Sequence, residues 1–267
     1  MKANRHIVYL SHGGGPMPLL GDPNHVEMVA TLKDIALAVG KPSAILVISA
    51  HWEARLPTVT SGNHPGIIYD YNGFARQAYE IEYPAAGEPE LAKRVVNALE
   101  GSGIRAAEDT VRGFDHGMFV PLSIMYPDAD IPCVQLSLVD SLDANLHIRM
   151  GNALQSLEWD NLLVIGSGFS FHNMAAFFTP ASQEARDNNI AFDEWLTAVM
   201  SDTTLTEHTR EAQLANWASA PGARFCHPRE EHLIPLHVCY GMAAQPSKKT
   251  FKAEIMKKQS SMFYWGE

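Results

Sequence analysis

Two histidines lie just beyond strand-like apolar runs and are candidate metal ligands. His12 follows the run at residues 7–10 and precedes three glycines, and His51 follows the run at residues 44–49. Imidazole nitrogens are common ligands of iron, zinc and copper. In α/β sheets, ligands bind outside the carboxyl ends of the strands, where a crevice opens. The two segments therefore predict a metal site at one edge of one sheet.

The glycines after His12 allow the backbone to turn sharply and a ligand to approach closely. Gly13 and Gly14 have no Cβ atom, which is what such an approach requires. The same sequence is also compatible with a plain strand-to-helix turn, and HGGG forms the oxyanion loop of some lipases and esterases. A hydrolase of that kind needs a G-x-S-x-G elbow, and the segments around Ser167 and Ser170 both miss its spacing. The esterase alternative is therefore disfavoured.

Three further segments place a histidine at the end of a strand or the start of a helix. Asp115 and His116 precede an apolar periodic stretch, and the aspartate can orient the histidine ring or cap the helix, of which capping is the simpler interpretation. His172 comes shortly after another buried strand-like run. Pro235 is favoured in a first helical turn, so a helix is predicted to begin near His232.

The segment around His232 also offers other ligands. Glu230 or Glu231 can complete an iron site, because such sites commonly use two histidines and one carboxylate. An acidic pair in a first helical turn is equally explained by the helix dipole, which is the interpretation adopted here. His227 is a further candidate for the position of His232. The remaining histidines have no local pattern that indicates chemistry: His6, His25, His64, His147, His208 and His237.

The elements that must position these residues alternate between two hydrophobic periods. Strand-like runs rich in β-branched residues lie at residues 7–10, 44–49, 131–138 and 162–165. Helical stripes between them begin at Met28, Leu146 and Phe192. Strand followed by helix is the pattern of a sheet that is covered on both faces. We predict an α/β fold with a central, mostly parallel or mixed sheet between two layers of helices, in a strand order that the pattern leaves open.

Composition predicts one domain over residues 1–267, because no linker, repeat or charge block interrupts the chain. The chain is 46% hydrophobic and 19% charged, as in ordinary globular proteins, and its net charge of -10 leaves no basic stripe for nucleic acid. No apolar run is long enough for a signal peptide or a membrane span. Three scattered cysteines without a C-x-x-C pair predict buried free thiols and a cytoplasmic location.

Taken in order, these segments closely resemble the class III extradiol ring-cleaving dioxygenases. The resemblance is to the 4,5-DOPA dioxygenase branch in particular, and more distantly to the catalytic subunit of protocatechuate 4,5-dioxygenase. It extends from Leu10 to about Gly241. The segments that carry it are residues 12–16, 49–52, 113–117, 126–132, 167–173 and 231–236.

The resemblance implies a metal ion held by His12, His51 and His232, with His172 as acid/base or additional ligand and His116 over the substrate. The implied reaction is extradiol cleavage of a catechol with dioxygen, in which both oxygen atoms enter a semialdehyde acid. Iron(II) is the expected metal, and zinc(II) can occupy such a site in purified protein. The protocatechuate enzyme uses a glutamate as its third ligand, which keeps Glu230 and Glu231 as lesser candidates.

We expect Asp115, Gly13 and Gly14 to bind the substrate, and residues 69–76 and 179–186 to read its ring substituent. The expected state is a monomer or small homo-oligomer without nucleic-acid or membrane partners. Two other functions remain open from the residues alone. A zinc-dependent hydrolase can use the same three histidines with a bound hydroxide. A non-catalytic metal-binding scaffold is possible too, although a structural site has no need of an acid/base pair.

Overall fold

A computed structural model describes residues 5–180 and 182–266. Its strands are β1 (Arg5–Ser11), β2 (Ala44–Ala54), β3 (Thr58–Thr60), β4 (Ala107–Asp109), β5 (Cys133–Val139), β6 (Leu162–Gly168), β7 (Lys249–Ile255) and β8 (Lys258–Trp265). Its helices are α1 (Val26–Val39), α2 (Pro89–Gly101), α3 (His116–Met125), α4 (Ala144–Leu154), α5 (Met174–Phe178), α6 (Gln183–Ser201), α7 (Glu207–Ala215), α8 (Ala223–Cys226) and α9 (Ile234–Ala243).

These strands form one mixed sheet in the order β4-β3-β5-β2-β6-β1-β8-β7. The four central strands, β5, β2, β6 and β1, are parallel to one another. On one side β8 and β7 continue the sheet antiparallel, and on the other β3 pairs antiparallel with β5. The predicted mixed α/β sheet is confirmed, and the four predicted strand-like runs are its four central strands.

The central strands are buried on both faces, which explains their continuous apolar sequences. Every residue of β5 and of β6 is buried. A parallel strand of this kind needs helices above and below it. Helix α9 packs on β6 and β1, α3 packs on β2, and α1 packs on β1 and β7.

The helices follow the predicted stripes and begin at recognisable caps. Met28, Leu32, Ile35 and Val39 recur at helical spacing and form the buried face of α1. Asp143 caps α4, where its side chain accepts a hydrogen bond from the Leu146 amide at 2.6 Å. The predicted stripes that begin at Leu146 and Phe192 lie in α4 and α6.

The expectations about thiols are also confirmed: Cys133, Cys226 and Cys239 are free and buried. Within residues 5–180 and 182–266, none of the helices has the length and apolar character that a bilayer crossing requires.

Buried neutral His147 makes the fold sensitive to acid. Its Nε2 accepts from the Val139 amide at 3.0 Å, its Nδ1 donates to the Asp143 carbonyl at 2.7 Å, and burial lowers its pKa to about 4. Because an unfolded histidine has a pKa of about 6.5, the stabilisation is complete above that pH and is lost as the pH falls towards 4. We expect the free energy of unfolding in urea to fall by up to about 2 kcal/mol per such histidine between about pH 6.5 and pH 5.

The control is a chain in which this group no longer titrates. His147→Gln is expected to be less stable at neutral pH but to lose less stability than the wild type over the same pH interval. Equal losses in the two proteins would contradict the assignment.

Candidate metal centre

The strand order brings His12 and His51 to the same edge of the sheet. His12 is the first residue after β1, and His51 lies in the last part of β2. Strand β6 lies between them, with Ser11 paired to Gly168 and Ser49 paired to Ser167. The predicted placement of both imidazoles at one carboxyl edge is thus observed.

An irregularity in β2 turns His51 towards the centre of this edge. Ile48 pairs with Leu136, but the next pair with β5 is Glu53 with Leu138. Five steps along β2 therefore match two along β5, and His51 lies among the extra residues. Such bulges redirect side chains and are frequent beside active sites.

Three histidine rings from separate segments converge on one point. The Nε2 atoms of His12 and His51 are 3.0 Å apart. The ring centroids of His12, His51 and His232 are separated by 4.8, 4.9 and 5.1 Å, which is nearly an equilateral triangle. The three rings adjoin one another, even though they are far apart in sequence.

Hydrogen bonds fix the tautomer of His12. The Ser167 hydroxyl donates to the carbonyl of Gly117, so its oxygen accepts from His12 Nδ1 at 3.0 Å. The His12 proton is therefore on Nδ1, and its Nε2 presents a lone pair.

Carboxylates impose the same tautomer on the other two rings. His232 Nδ1 is 3.0 Å from Glu231 Oε1, and His51 Nδ1 is 3.5 Å from Asp70 Oδ2. Because ionised carboxylates only accept, the His232 Nδ1 carries its proton and the His232 Nε2 is bare, and the longer contact with Asp70 favours the same form of His51. Partners of this kind on the second nitrogen are the usual surroundings of metal-binding histidines.

This donor set fits a metal ion. Two bare Nε2 atoms that face each other at 3.0 Å repel unless a cation lies between them. Two nitrogens bound at about 2.1 Å and at right angles to one ion lie about 3 Å apart. The spacing of His12 and His51 therefore matches two adjacent positions on one ion.

The three rings are in the neutral form that binds metal. Burial lowers the pKa of His12 and of His51 well below its ordinary value, and the neighbouring imidazoles lower it further. Burial likewise lowers the pKa of His232 to about 3. Neutral imidazoles bind metal without first losing a proton.

His116 and His172 flank this triangle. The ligand atoms of His12, His51 and His116 lie within 4.8 Å of one another, as do those of His172, Glu231 and His232. His172 stacks on His232 with ring centroids 3.4 Å apart, and His116 lies 3.8 Å from His51. All five predicted histidines are therefore in one cluster, and among the residues that the structure describes no side chain outside the cluster bonds to their Nε2 atoms.

The glycine loop packs closely against His25, which the sequence had not indicated. Gly13 has a φ of 82°, and a Cβ atom there would lie 2.8 Å from His25 Cδ2. The Gly14 amide donates to His25 Nε2 at 3.0 Å, and His25 Nδ1 is held by Asp22 at 3.0 Å. His25 therefore shapes the loop, and contact between the substrate and Gly13 or Gly14 stays a prediction.

The predicted roles of Asp115 in capping α3 and orienting His116 are wrong. Asp115 occupies the N-cap position, but its side chain makes no capping bond. Its buried carboxylate instead accepts from Ser49 Oγ at 2.7 Å, from Arg112 at 3.1 Å and from Gln135. Burial raises its pKa. The role of Asp115 in substrate binding stays a prediction.

Asp70 orients His116 instead. Its Oδ1 accepts from His116 Nδ1 at 2.8 Å and from the His116 amide at 3.0 Å. The pKa of Asp70 is lowered, because the hydrogen bonds and charge of His116 outweigh burial. Asp70 comes 46 residues before its partner in an irregular loop, so spacing could not have indicated it.

The lesser ligand candidates lie outside the triangle. Glu230 pairs with Arg224 at 2.6 Å. His227 is buried, and its Nε2 is 3.0 Å from the Ser170 carbonyl. Glu231 lies against His172 and His232, which lower its pKa despite burial. The helix-dipole interpretation therefore fails for Glu231, which comes before α9 and is only 9% exposed.

Aromatic side chains line the neighbourhood of His116 and His172. Tyr71 meets the edge of the His116 ring at 5.7 Å, and Phe74 lies 5.5 Å from Tyr71. On the other side, Phe177 lies 6.4 Å from His172. Tyr71 and Phe74 belong to the predicted substrate-reading segment 69–76. In the other such segment, 179–186, residue 181 lies outside the described residues.

The His232 carbonyl packs closely against Gly168 at the end of β6, and this contact allows a test of the geometry. The His232 carbonyl accepts from Tyr9 Oη at 2.8 Å and from the Phe169 amide at 3.0 Å. An alanine Cβ at position 168 would lie 2.0 Å from that carbonyl oxygen. We expect Gly168→Ala to displace His232 and to weaken zinc binding about 10–100-fold, as loss of a ligand's support does. Competition against a chromogenic chelator measures this.

Gly101→Ala is the matched control, because nothing lies within 4 Å of a Cβ atom there. It is expected to bind zinc as the wild type does. A Gly168→Ala protein with wild-type affinity would show that the position of His232 does not depend on this contact.

The chain is also similar to known proteins. A family model described as the catalytic LigB subunit of aromatic ring-opening dioxygenase matches residues 7–264. The chain is 39% identical to a 4,5-DOPA dioxygenase extradiol of Beta vulgaris, over 91% of this chain and 89% of that protein. It is 37% identical to the dioxygenase tasH of Hapsidospora irregularis, over 97% of this chain and 85% of that protein. An uncharacterized protein of Escherichia coli K12 has a crystal structure that matches with a TM-score of 0.76 at 29% identity, covering 98% of this chain and 99% of that one.

Proposed function

Because the chain belongs to the LigB family of aromatic ring-opening dioxygenases and is an extradiol ring-cleaving enzyme, we propose that it opens a catechol at iron(II) held by His12, His51 and His232. The observation that carries the proposal is the convergence of three neutral imidazoles whose Nδ1 atoms are all engaged elsewhere. Neutral imidazoles suit iron, and three ligands on one side leave adjacent positions open.

A bound ferrous ion would acidify the catechol hydroxyls and hold the catecholate beside dioxygen. The protein's own contribution begins with His172. Its Nε2 accepts a hydroxyl proton from the substrate, and Glu231, 3.0 Å from Nδ1, stabilises the resulting imidazolium. The half-buried position of His172 at the edge of the cluster lets a substrate reach it.

His116 acts from the other end of the cluster. With Nδ1 held by Asp70, its Nε2 is left for the substrate: once this nitrogen has taken up a proton, Nε2–H donates a hydrogen bond to the negative charge that develops on the substrate oxygens. The reaction breaks the carbon–carbon bond beside the two hydroxylated carbons and inserts both oxygen atoms. The ring carbons supply all the electrons that reduce dioxygen, so no external reductant is needed.

The substrate is a catechol, and L-DOPA is the first to test because several relatives carry the name 4,5-DOPA dioxygenase extradiol. The aromatic side chains of Tyr71, Phe74 and Phe177 suit a flat ring. Gly13 and Gly14 would contact it through the backbone. We further propose that residues 1–267 form one catalytic domain, as a monomer or small homo-oligomer, in the cytoplasm.

A zinc hydrolase is not favoured by the family match, and a scaffold has no use for His116 and His172. The deciding experiment is anaerobic reconstitution with iron(II), addition of catechol or L-DOPA, and then air, with oxygen uptake and absorbance recorded. One mole of oxygen consumed for each mole of yellow ring-opened product supports the proposal. Zinc-loaded protein is the control. Ester or amide cleavage by that form without oxygen uptake would overturn it in favour of a hydrolase, and tight metal binding without turnover would favour a scaffold.

A further inference from the structure

Each of two carboxylates in the centre contacts two histidines of different kinds. Asp70 contacts His116 through Oδ1 at 2.8 Å and His51 through Oδ2 at 3.5 Å. Glu231 contacts both His172 and His232, each at 3.0 Å and each through the same oxygen, Oε1. In each case one partner is a proposed metal ligand and the other a proposed proton-transfer residue.

We propose that Asp70 and Glu231 are positioning residues: Glu231 sets the tautomers of the metal ligand His232 and of its neighbour His172, and Asp70 sets the tautomer of His116 and lies beside the metal ligand His51. The roles of the four histidines rest on the proposed function. The tautomers follow from the chemistry of the carboxylate, because an ionised carboxylate only accepts and a ring nitrogen that bonds to it must therefore donate. One side chain thereby frees two Nε2 atoms.

A positive charge lies beside the other oxygen of Glu231. Its second oxygen, Oε2, lies 3.4 Å from Arg229, and Arg229 makes a bidentate pair with Glu53 at 2.6 and 2.7 Å. The bidentate geometry holds the guanidinium in place. The charge of Arg229 therefore attracts Oε2, and Oε1 faces the rings of His172 and His232.

The two carboxylates are not equivalent, and the difference predicts distinct variants. Glu231 contacts its two partners at equal distance, so it supports metal binding and proton transfer alike. Asp70 contacts His116 closely but His51 only at 3.5 Å, a distance at which a hydrogen bond is weak. Asp70 is therefore expected to act mainly on His116.

Amide substitutions test this asymmetry, since they keep the shape and remove the charge. We expect Glu231→Gln to weaken zinc binding by the apoprotein about 10–100-fold and to lower kcat of the iron enzyme by a similar factor. Asp70→Asn is expected to lower kcat about 10-fold or more while changing zinc affinity by less than about threefold. Glu230→Gln, next in sequence but paired with Arg224, is the matched control and leaves both values unchanged.

A second readout needs neither metal nor turnover. Histidine ring-nitrogen chemical shifts of the apoprotein, assigned by removing one histidine at a time, report which nitrogen carries the proton. In the wild type His51, His116, His172 and His232 are expected to be protonated at Nδ1. In Glu231→Gln, His172 and His232 are expected to acquire Nε2–H forms while His116 does not change.

The pattern of results separates the two proposals. Wild-type protein with Nε2–H forms at His172 and His232 overturns the positioning role, as does Glu231→Gln with wild-type zinc affinity and wild-type kcat. Wild-type protein that consumes no oxygen with any catechol overturns the proposed function instead. The tautomers and zinc affinities still decide the role of the carboxylates in that case.

Discussion

Replacing His232 by alanine is expected to abolish metal binding and ring cleavage together, whereas replacing His116 by alanine abolishes cleavage and leaves the metal in place. The ring centroids of His12, His51 and His232 form a nearly equilateral triangle, as three ligands around one ion do. His116 lies 3.8 Å from His51 but 5.4 Å from His12, so it breaks that symmetry.

Zinc affinity of the two apoproteins and metal content after dialysis distinguish them. For His232→Ala the zinc affinity should fall by at least about 100-fold. Loss of a residue that only supports a ligand lowers metal affinity by about 10–100-fold, so loss of a ligand should exceed that range. His116→Ala should retain the affinity of the wild type within a few-fold and lose kcat by about 100-fold or more. The opposite result would replace His232 by His116 in the ligand set.

The second large effect is expected at His172. Replacing it by alanine should lower kcat about 10²–10⁴-fold, the usual contribution of a general base, while iron still binds. Its Nδ1 is held by Glu231, so the nitrogen that accepts the substrate proton is Nε2, and its side chain is 20% exposed. Added imidazole should therefore enter the space that alanine leaves and restore part of the activity.

Single-turnover measurements with catechol and a metal determination on the same sample test this directly. His64→Ala, which removes an exposed histidine outside the cluster, is the control and should retain full activity. If His172→Ala instead lost its metal, His172 would be a ligand and the base would have to be found elsewhere.

The sequence predicted much of this centre because its histidines follow strands. His12 and His51 come after continuous apolar runs that form parallel central strands, and such strands all present their carboxyl ends at one edge. Pro235 predicted a helix start near His232, and α9 begins two residues after this histidine, at Ile234. The resemblance then linked these segments to His116 and His172.

The residues that hold the histidines were less visible. Asp70 lies in an irregular loop and meets His116 only through tertiary structure, so no period or spacing indicated it. Glu231 has the composition of an ordinary acidic first turn, and only its burial against two rings reveals its role. For Asp115 the sequence signal was misleading. Its position before α3 indicated a helix cap, but its carboxylate accepts hydrogen bonds from Ser49, Arg112 and Gln135 instead.

Strand order and the outer strands were likewise beyond the sequence. β3 and β4 are three residues long, too short for a hydrophobic period, and β7 carries exposed lysines because it is the edge of the sheet. β6 lies between β1 and β2, and this order depends on long-range packing that the sequences of the three strands do not indicate.

That placement has a consequence for the newly made polypeptide. β1 and β2 emerge from the ribosome before their neighbour β6, which ends at Gly168, and the last imidazole of the triangle comes at position 232. Until then His12 has neither Ser167 to hold its ring nor the facing partners that a cation needs. Loading of the proposed metal ion therefore follows the translation of residue 232 and the pairing of β6 with β1 and β2.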